Sequence, residues 1–127
     1  VSAYSLMDYN YCQHLGQFQP AARVVAMIIS RPVDQYGIAD AGHKATGPDR
    51  GLPVIDGIPN AQVTRLSAEH ASVALEGDAR KSVKVGDRVR LIPRDLDTCI
   101  NQYNLLHAVR DGKLEAIWEI ASRGRSD

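Results

Sequence analysis

Asp95 and Asp97 are the residues of this chain whose type and spacing most directly suggest chemistry. They stand two positions apart in Ile92-Pro93-Arg94-Asp95-Leu96-Asp97. If that segment stays extended, both carboxylates project from one face, their Cα atoms roughly 6–7 Å apart. Two acids so held repel each other unless a cation or a shared proton compensates. Their donors are hard oxygens, which suit Mg²⁺, Mn²⁺ or Ca²⁺ better than Zn²⁺, and two ligands leave positions for water and a substrate oxygen. The expectation is a divalent-metal site at Asp95 and Asp97, with Mn²⁺ or Mg²⁺ preferred over Zn²⁺. Cys99 continues the same alternation, but a soft thiol does not normally join an oxygen shell. The alternative is an exposed acid pair in a loop.

The elements around the pair read as strands. Val85-Gly86-Asp87 is a turn, and Arg88-Val89-Arg90-Leu91-Ile92 alternates polar and apolar residues as a half-buried strand does. Pro93 ends that strand because it has no amide to donate. Leu105 to Arg110 and Leu114 to Ile120 are two more strands, joined through Asp111-Gly112, a strong hairpin signal. Upstream, Arg23 to Arg31 reads as a buried strand ended by Pro32, followed by short strands over Tyr36 to Asp40, Val63 to Leu66 and Ala71 to Leu75. Gly77 to Lys84 reads as a loop, and helices are expected only near Asp8 to Gln17 and around Thr98 to Asn104. About seven short strands punctuated by Gly and Pro predict an all-β domain, an antiparallel barrel or sandwich with one or two short helices.

Several of these residues, taken together, resemble the C-terminal domain of D-threonine aldolases and eukaryotic-type D-serine dehydratases. They are Val85-Gly86-Asp87-Arg88-Val89, Leu91-Ile92-Pro93, Thr98, Asn101, Val109-Arg110-Asp111-Gly112 and Ser122-Arg123-Gly124-Arg125. That family carries a Pro-x-His-x-Asp or Pro-x-His-x-Cys run with two metal ligands beside pyridoxal phosphate. Here the run is Pro93-Arg94-Asp95-Leu96-Asp97: Asp97 matches the aldolase form, and Asp95 stands where the family has histidine. Ser2-Ala3-Tyr4-Ser5-Leu6-Met7-Asp8 is similar to the family's Gly-Ser-Tyr-x-x-Met-Asp run at the exit of its cofactor barrel, which implies a cofactor-binding role for Tyr4; a tyrosine-rich surface segment is the other reading. Asp40-Ala41-Gly42-His43-Lys44 and Asp49-Arg50-Gly51 are similar to a family signature at the rim of the active site. Read from the residues alone, Gly42 and Gly51 permit unusual turns, and Asp40, Lys44, Asp49 and Arg50 tie one loop together by opposite charge. Ser67-Ala68-Glu69-His70 is similar to a Ser-Glu-Glu-His run, with His70 expected as a hydrogen-bonded structural group.

The resemblance implies a lyase acting on small D-configured β-hydroxy amino acids, by retro-aldol cleavage or by elimination. It implies pyridoxal phosphate bound mainly by a missing N-terminal (β/α)₈ domain, a metal on the substrate's β-hydroxyl, and a homodimer in the full enzyme. Residues 1–20 would then be the connector and 21–127 the C-terminal β-domain. No catalytic residue is assigned within this chain. Lys44, flanked by Asp40 and Asp49, has neighbours that raise its pKa, whereas a Schiff-base lysine needs it lowered. The rival expectation is a non-catalytic β-barrel module used for assembly.

A chain of 127 residues suits one core. Its 15 basic and 15 acidic side chains balance without a basic run, which argues against nucleic acid and anionic membranes as partners. No membrane-length apolar run or signal peptide is visible. Cys12 and Cys99 are too few for a disulfide framework, so reduced thiols and a cytoplasmic location are expected. The first residue is Val, which suggests a fragment or a processed chain.

Overall fold

The computed structural model describes residues 3–47 and 49–125. An N-terminal unit comes first, in which β1 (Ala3–Ser5) and β2 (Phe18–Pro20) pair in parallel around α1 (Tyr9–Leu15). The chain continues through β3 (Val24–Val33), β4 (Tyr36–Ala39), α2 (His43–Thr46), β5 (Val54–Asp56), β6 (Ala61–Leu66), β7 (Ala71–Leu75), α3 (Ala79–Ser82) and β8 (Arg88–Ile92). It ends with α4 (Leu96–Ile100) and a hairpin of β9 (Leu105–Arg110) and β10 (Lys113–Glu119). The structure is mainly β, as the strand pattern predicts.

Six strands form one antiparallel sheet in the order β5-β8-β3-β4-β7-β6. Its terminal strands β5 and β6 lie against each other, so the sheet nearly closes into a barrel. Closure protects strand edges that would otherwise offer unpaired amides and carbonyls. Side chains fill the interior with the period of two that a pleated strand imposes. Ala71, Val73 and Leu75 of β7, Val89 and Leu91 of β8, and Ala26 and Ile28 of β3 all point into one core.

The same alternation corrects the expectation of a fully buried strand over residues 23–31. Val25, Met27 and Ile29 lie on the outer face of β3 and are exposed. Nor does Pro32 end β3, which runs on to Val33; the pairing slips between Ser30 and Val33, an irregularity that accommodates a residue without an amide hydrogen. Residues 79–82, expected as loop, make α3, and the Arg31 guanidinium fastens that region by donating to the carbonyls of Val83, Asp34 and Arg80.

Gly42 serves close approach, not an unusual turn. Its φ of −116° is open to any residue. A Cβ there would stand 2.2 Å from the Ser67 carbonyl oxygen and 2.6 Å from the Ala68 carbonyl carbon. The contact lets His43 N donate to Ser67 O at 2.9 Å and Lys44 N to Ala68 O at 3.1 Å, which seats α2 on the β6–β7 loop.

The Asp111-Gly112 hairpin forms as expected, with φ of 50° and 74° at its two central residues, the signs a type I′ turn requires. It does not sit at an edge of the barrel sheet. β9 and β10 make a separate two-stranded sheet. The pairing sets Val109 opposite Leu114 and His107 opposite Ile117, and Leu105, Val109, Leu114 and Ile117 are all exposed.

Candidate functional site

The acid pair lies at the exit of β8, and local capping decides its conformation. Asp95 is the N-cap of α4, its Oδ1 accepting from Thr98 N at 3.1 Å, three residues on. An aspartate in this position takes up an amide that a helix start leaves without a partner. Asp97 falls in the first turn of the same helix, where a negative charge is favoured by the exposed amides. The segment is therefore a capped helical turn, not the extended run in which both carboxylates leave one face. Asp95 is buried at 6% exposure, while Asp97 faces solvent.

Three elements hold this turn. From behind, Cys99 Sγ and Tyr103 Oη both donate to the Ala45 carbonyl, at 3.4 and 2.8 Å, joining α4 to α2. Burial pushes the Cys99 thiol up to about 11, with the Asp95 charge adding to it, and pushes Tyr103 up to about 12. From the C-terminal side, Asn101 Oδ1 accepts from Gly124 N at 2.6 Å, so the tail folds back over α4. Asp97, Thr98 and Asn101 there face Ser122 and Arg125 across a cleft of about 420 Å³.

From the N-terminal side comes a contact that sequence reading missed. The buried Asp8 carboxylate accepts from Leu96 N at 2.7 Å through Oδ1 and from Arg50 Nη1 at 2.9 Å through Oδ2. Arg50 is held above its usual pKa first by a hydrogen bond with Tyr11 and then by the Asp8 charge. Next to it, the Arg94 guanidinium stacks 4.5 Å over the Tyr9 ring and donates to Asn10 Oδ1 at 3.1 Å and to Leu52 O at 3.1 Å. Asp8 was legible only as part of the Met7-Asp8 pair, and nothing local in the sequence links it to residue 96.

The other sequence-derived site residues fall elsewhere. Tyr4 lies on β1 at 72% exposure. Among the described residues, Asp40, Lys44 and Arg50 find their partners outside the segment 40–51. Lys44 pairs with Glu69 at 2.5 Å, which raises its pKa, Arg50 pairs with Asp8, and Asp40 Oδ1 accepts from Met27 N at 2.6 Å. His70 is exposed, and it is its main chain that bonds Ser67, N donating to Oγ at 3.2 Å and O accepting from Ser67 N at 2.8 Å.

The donors that this turn offers a metal are oxygens, the open carboxylate of Asp97 and the capping carboxylate of Asp95, while Thr98 Oγ1 is buried against Gly47 without a hydrogen-bond partner. That chemistry fits a hard divalent cation better than a soft one. Among the described residues no three His, Cys, Asp or Glu groups converge to form a complete shell. For pyridoxal phosphate the fit is poorer. The lysine in the signature loop, Lys44, is engaged by Glu69 and kept protonated, opposite to what a Schiff base requires.

Residues 21–109 match the family described as "Putative serine dehydratase domain". The chain belongs to that family. It is 35% identical over 130 residues to a D-threonine aldolase of an Arthrobacter species, covering 99% of this chain and 34% of the relative. A 3-hydroxy-D-aspartate aldolase of Paracoccus denitrificans is 29% identical over 132 residues, covering 97% and 33%. The chain thus spans about a third of the length of these relatives. An uncharacterized protein of Mycobacterium bovis is different in extent: 32% identical over 124 residues, covering 88% of this chain and 92% of that protein. Among solved structures, D-threonine aldolase from Filomicrobium marinum superimposes with a TM-score of 0.83 at 30% identity, covering 93% of this chain and 34% of that one.

Proposed function

We propose that this chain is the C-terminal metal-site domain of a pyridoxal-phosphate-dependent lyase acting on D-β-hydroxy amino acids. The observation that carries the reading is the match to D-threonine aldolase over 99% of the chain, with Pro93-Arg94-Asp95-Leu96-Asp97 forming a capped turn beside an open cleft. In it, Asp97 and Asp95 hold a divalent cation, Mn²⁺ or Mg²⁺ before Zn²⁺, and Tyr4 lies near the cofactor. When bound, the metal supplies Lewis acidity at the substrate's β-hydroxyl and the cofactor an electron sink at Cα, for retro-aldol cleavage or elimination. This chain's own residues hold and orient: Thr98 N fixes Asp95, the Ala45 carbonyl anchors α4 through Cys99 and Tyr103, and Asn101 closes the tail over the cleft. No residue of this chain is assigned the catalytic proton transfer. A (β/α)₈ cofactor domain reached through residues 1–20, a homodimeric enzyme and a cytoplasmic setting complete the reading.

A second reading is a non-catalytic β-module used in assembly. The Mycobacterium bovis relative favours it, because the chain covers 92% of a protein of comparable length. Melting the 127-residue protein while titrating each metal separates the two. A domain with a working site is stabilised in proportion to the logarithm of metal concentration over Kd. Mn²⁺ or Mg²⁺ should raise the melting temperature of the parent, and Asp97→Asn should abolish the rise. No shift in the parent, but a clear one in Asp95→His, would favour the module reading.

A further inference from the structure

We infer that Asp8 is a positioning residue for the Asp95–Asp97 turn, acting through the main-chain amide of Leu96. The inference rests on the metal reading above and extends it to a residue in the N-terminal unit. Leu96 N–H lies between the two acids, at the first helical position of α4. Because peptide units are planar, fixing that amide restrains the backbone on which both carboxylates stand. The five residues of α4 are too few to hold their own geometry, since the first helical turn is costly to form. The restraint has to come from outside, and it spans 88 positions of sequence.

Two features show that Asp8 is organised for this task. It is one of only three polar residues found buried among those described, and each carboxylate oxygen has its own partner. Arg50 pairs with the oxygen that Leu96 does not use, at 2.9 Å. This pairing offsets the Asp8 charge, so Asp8 supports the metal ligands without competing as one. Arg94 repeats the attachment from the other side of Asp95 through Tyr9 and Asn10 of α1. The N-terminal unit therefore grips residues on both sides of Asp95, once by side chain and once by main chain.

The test measures Mn²⁺ binding to the 127-residue protein by calorimetry, alongside amide hydrogen exchange without metal. Asp8→Ala should weaken Mn²⁺ binding by about 10–100-fold, the range seen when a group that orients a metal ligand is removed. Asp8→Asn keeps an oxygen for Leu96 N and should lose less. If both variants melt at lower temperature but bind Mn²⁺ as the parent does, Asp8 is merely structural and the inference is overturned. If the parent itself binds no Mn²⁺, the metal reading fails, and exchange then decides the positioning claim alone. Asp8→Ala, which leaves the Leu96 amide without its acceptor, should speed exchange there about threefold or more while Leu75 and Leu91 stay protected, and Asp8→Asn should speed it less. Unchanged exchange at Leu96 would refute the claim whatever the metal result.

Discussion

Replacing Gly42 by alanine tests the packing of α2 against the β6–β7 loop with a single methyl group. The added Cβ would meet main-chain atoms, Ser67 O at 2.2 Å and Ala68 C and O at 2.6 Å, so no side-chain rotation relieves it. Backbone strain does not enter, because φ is −116°. Overpacking of this kind costs about 1–3 kcal/mol. Separating the segments also lengthens the His43 N to Ser67 O and Lys44 N to Ala68 O bonds, each contributing about 0.5–1.5 kcal/mol. Against this, alanine restricts the unfolded chain and returns about 0.4–1 kcal/mol. The net loss is about 1–6 kcal/mol, a large part of the roughly 5–15 kcal/mol typical of a domain. Urea unfolding followed by circular dichroism measures it as a lower midpoint at unchanged slope. A loss under about 1 kcal/mol at the same slope would show that the two loops are not in contact and would refute the reasoning.

Two further outcomes follow from single side chains. Tyr103 should ionise at about pH 12, because burial disfavours its phenolate, and subtracting the alkaline absorbance titration of Tyr103→Phe from that of the parent isolates it. Its folded pKa is raised, so the stability linked to it is complete below the unfolded value near ~10 and is lost as pH rises through about 12; a step near ~10 in the folded protein would contradict the burial. Trp118, the single tryptophan, is 55% exposed on β10, so its emission should shift little on unfolding and be quenched freely by iodide. Protection from iodide in the isolated chain would mean that the hairpin is covered.

How much of this was legible in the sequence depended on the range of the forces involved. The strands Arg88–Ile92, Ala71–Leu75 and Leu105–Arg110 could be read directly, because alternation is set by the pleat of each strand alone. The Asp111-Gly112 turn was legible for the same reason, its positive φ angles being a property of two residues. Asp95 and Asp97 were found as a pair, but alternation and helix capping compete over so short a run, and the Thr98 amide decided for the cap. The partners of charged groups were not legible at all. Lys44 meets Glu69 and Arg50 meets Asp8, although other opposite charges stand nearer in sequence, because Coulomb attraction acts on whatever the packed loops bring together. Gly42 was identified as important for the wrong reason: sequence suggests backbone freedom, and only the folded chain shows a crossing too close for a methyl group. The chain by itself determined its strands and the position of its acids; the barrel and the N-terminal unit, through contacts such as Asp8 to Leu96, decided how those acids are held.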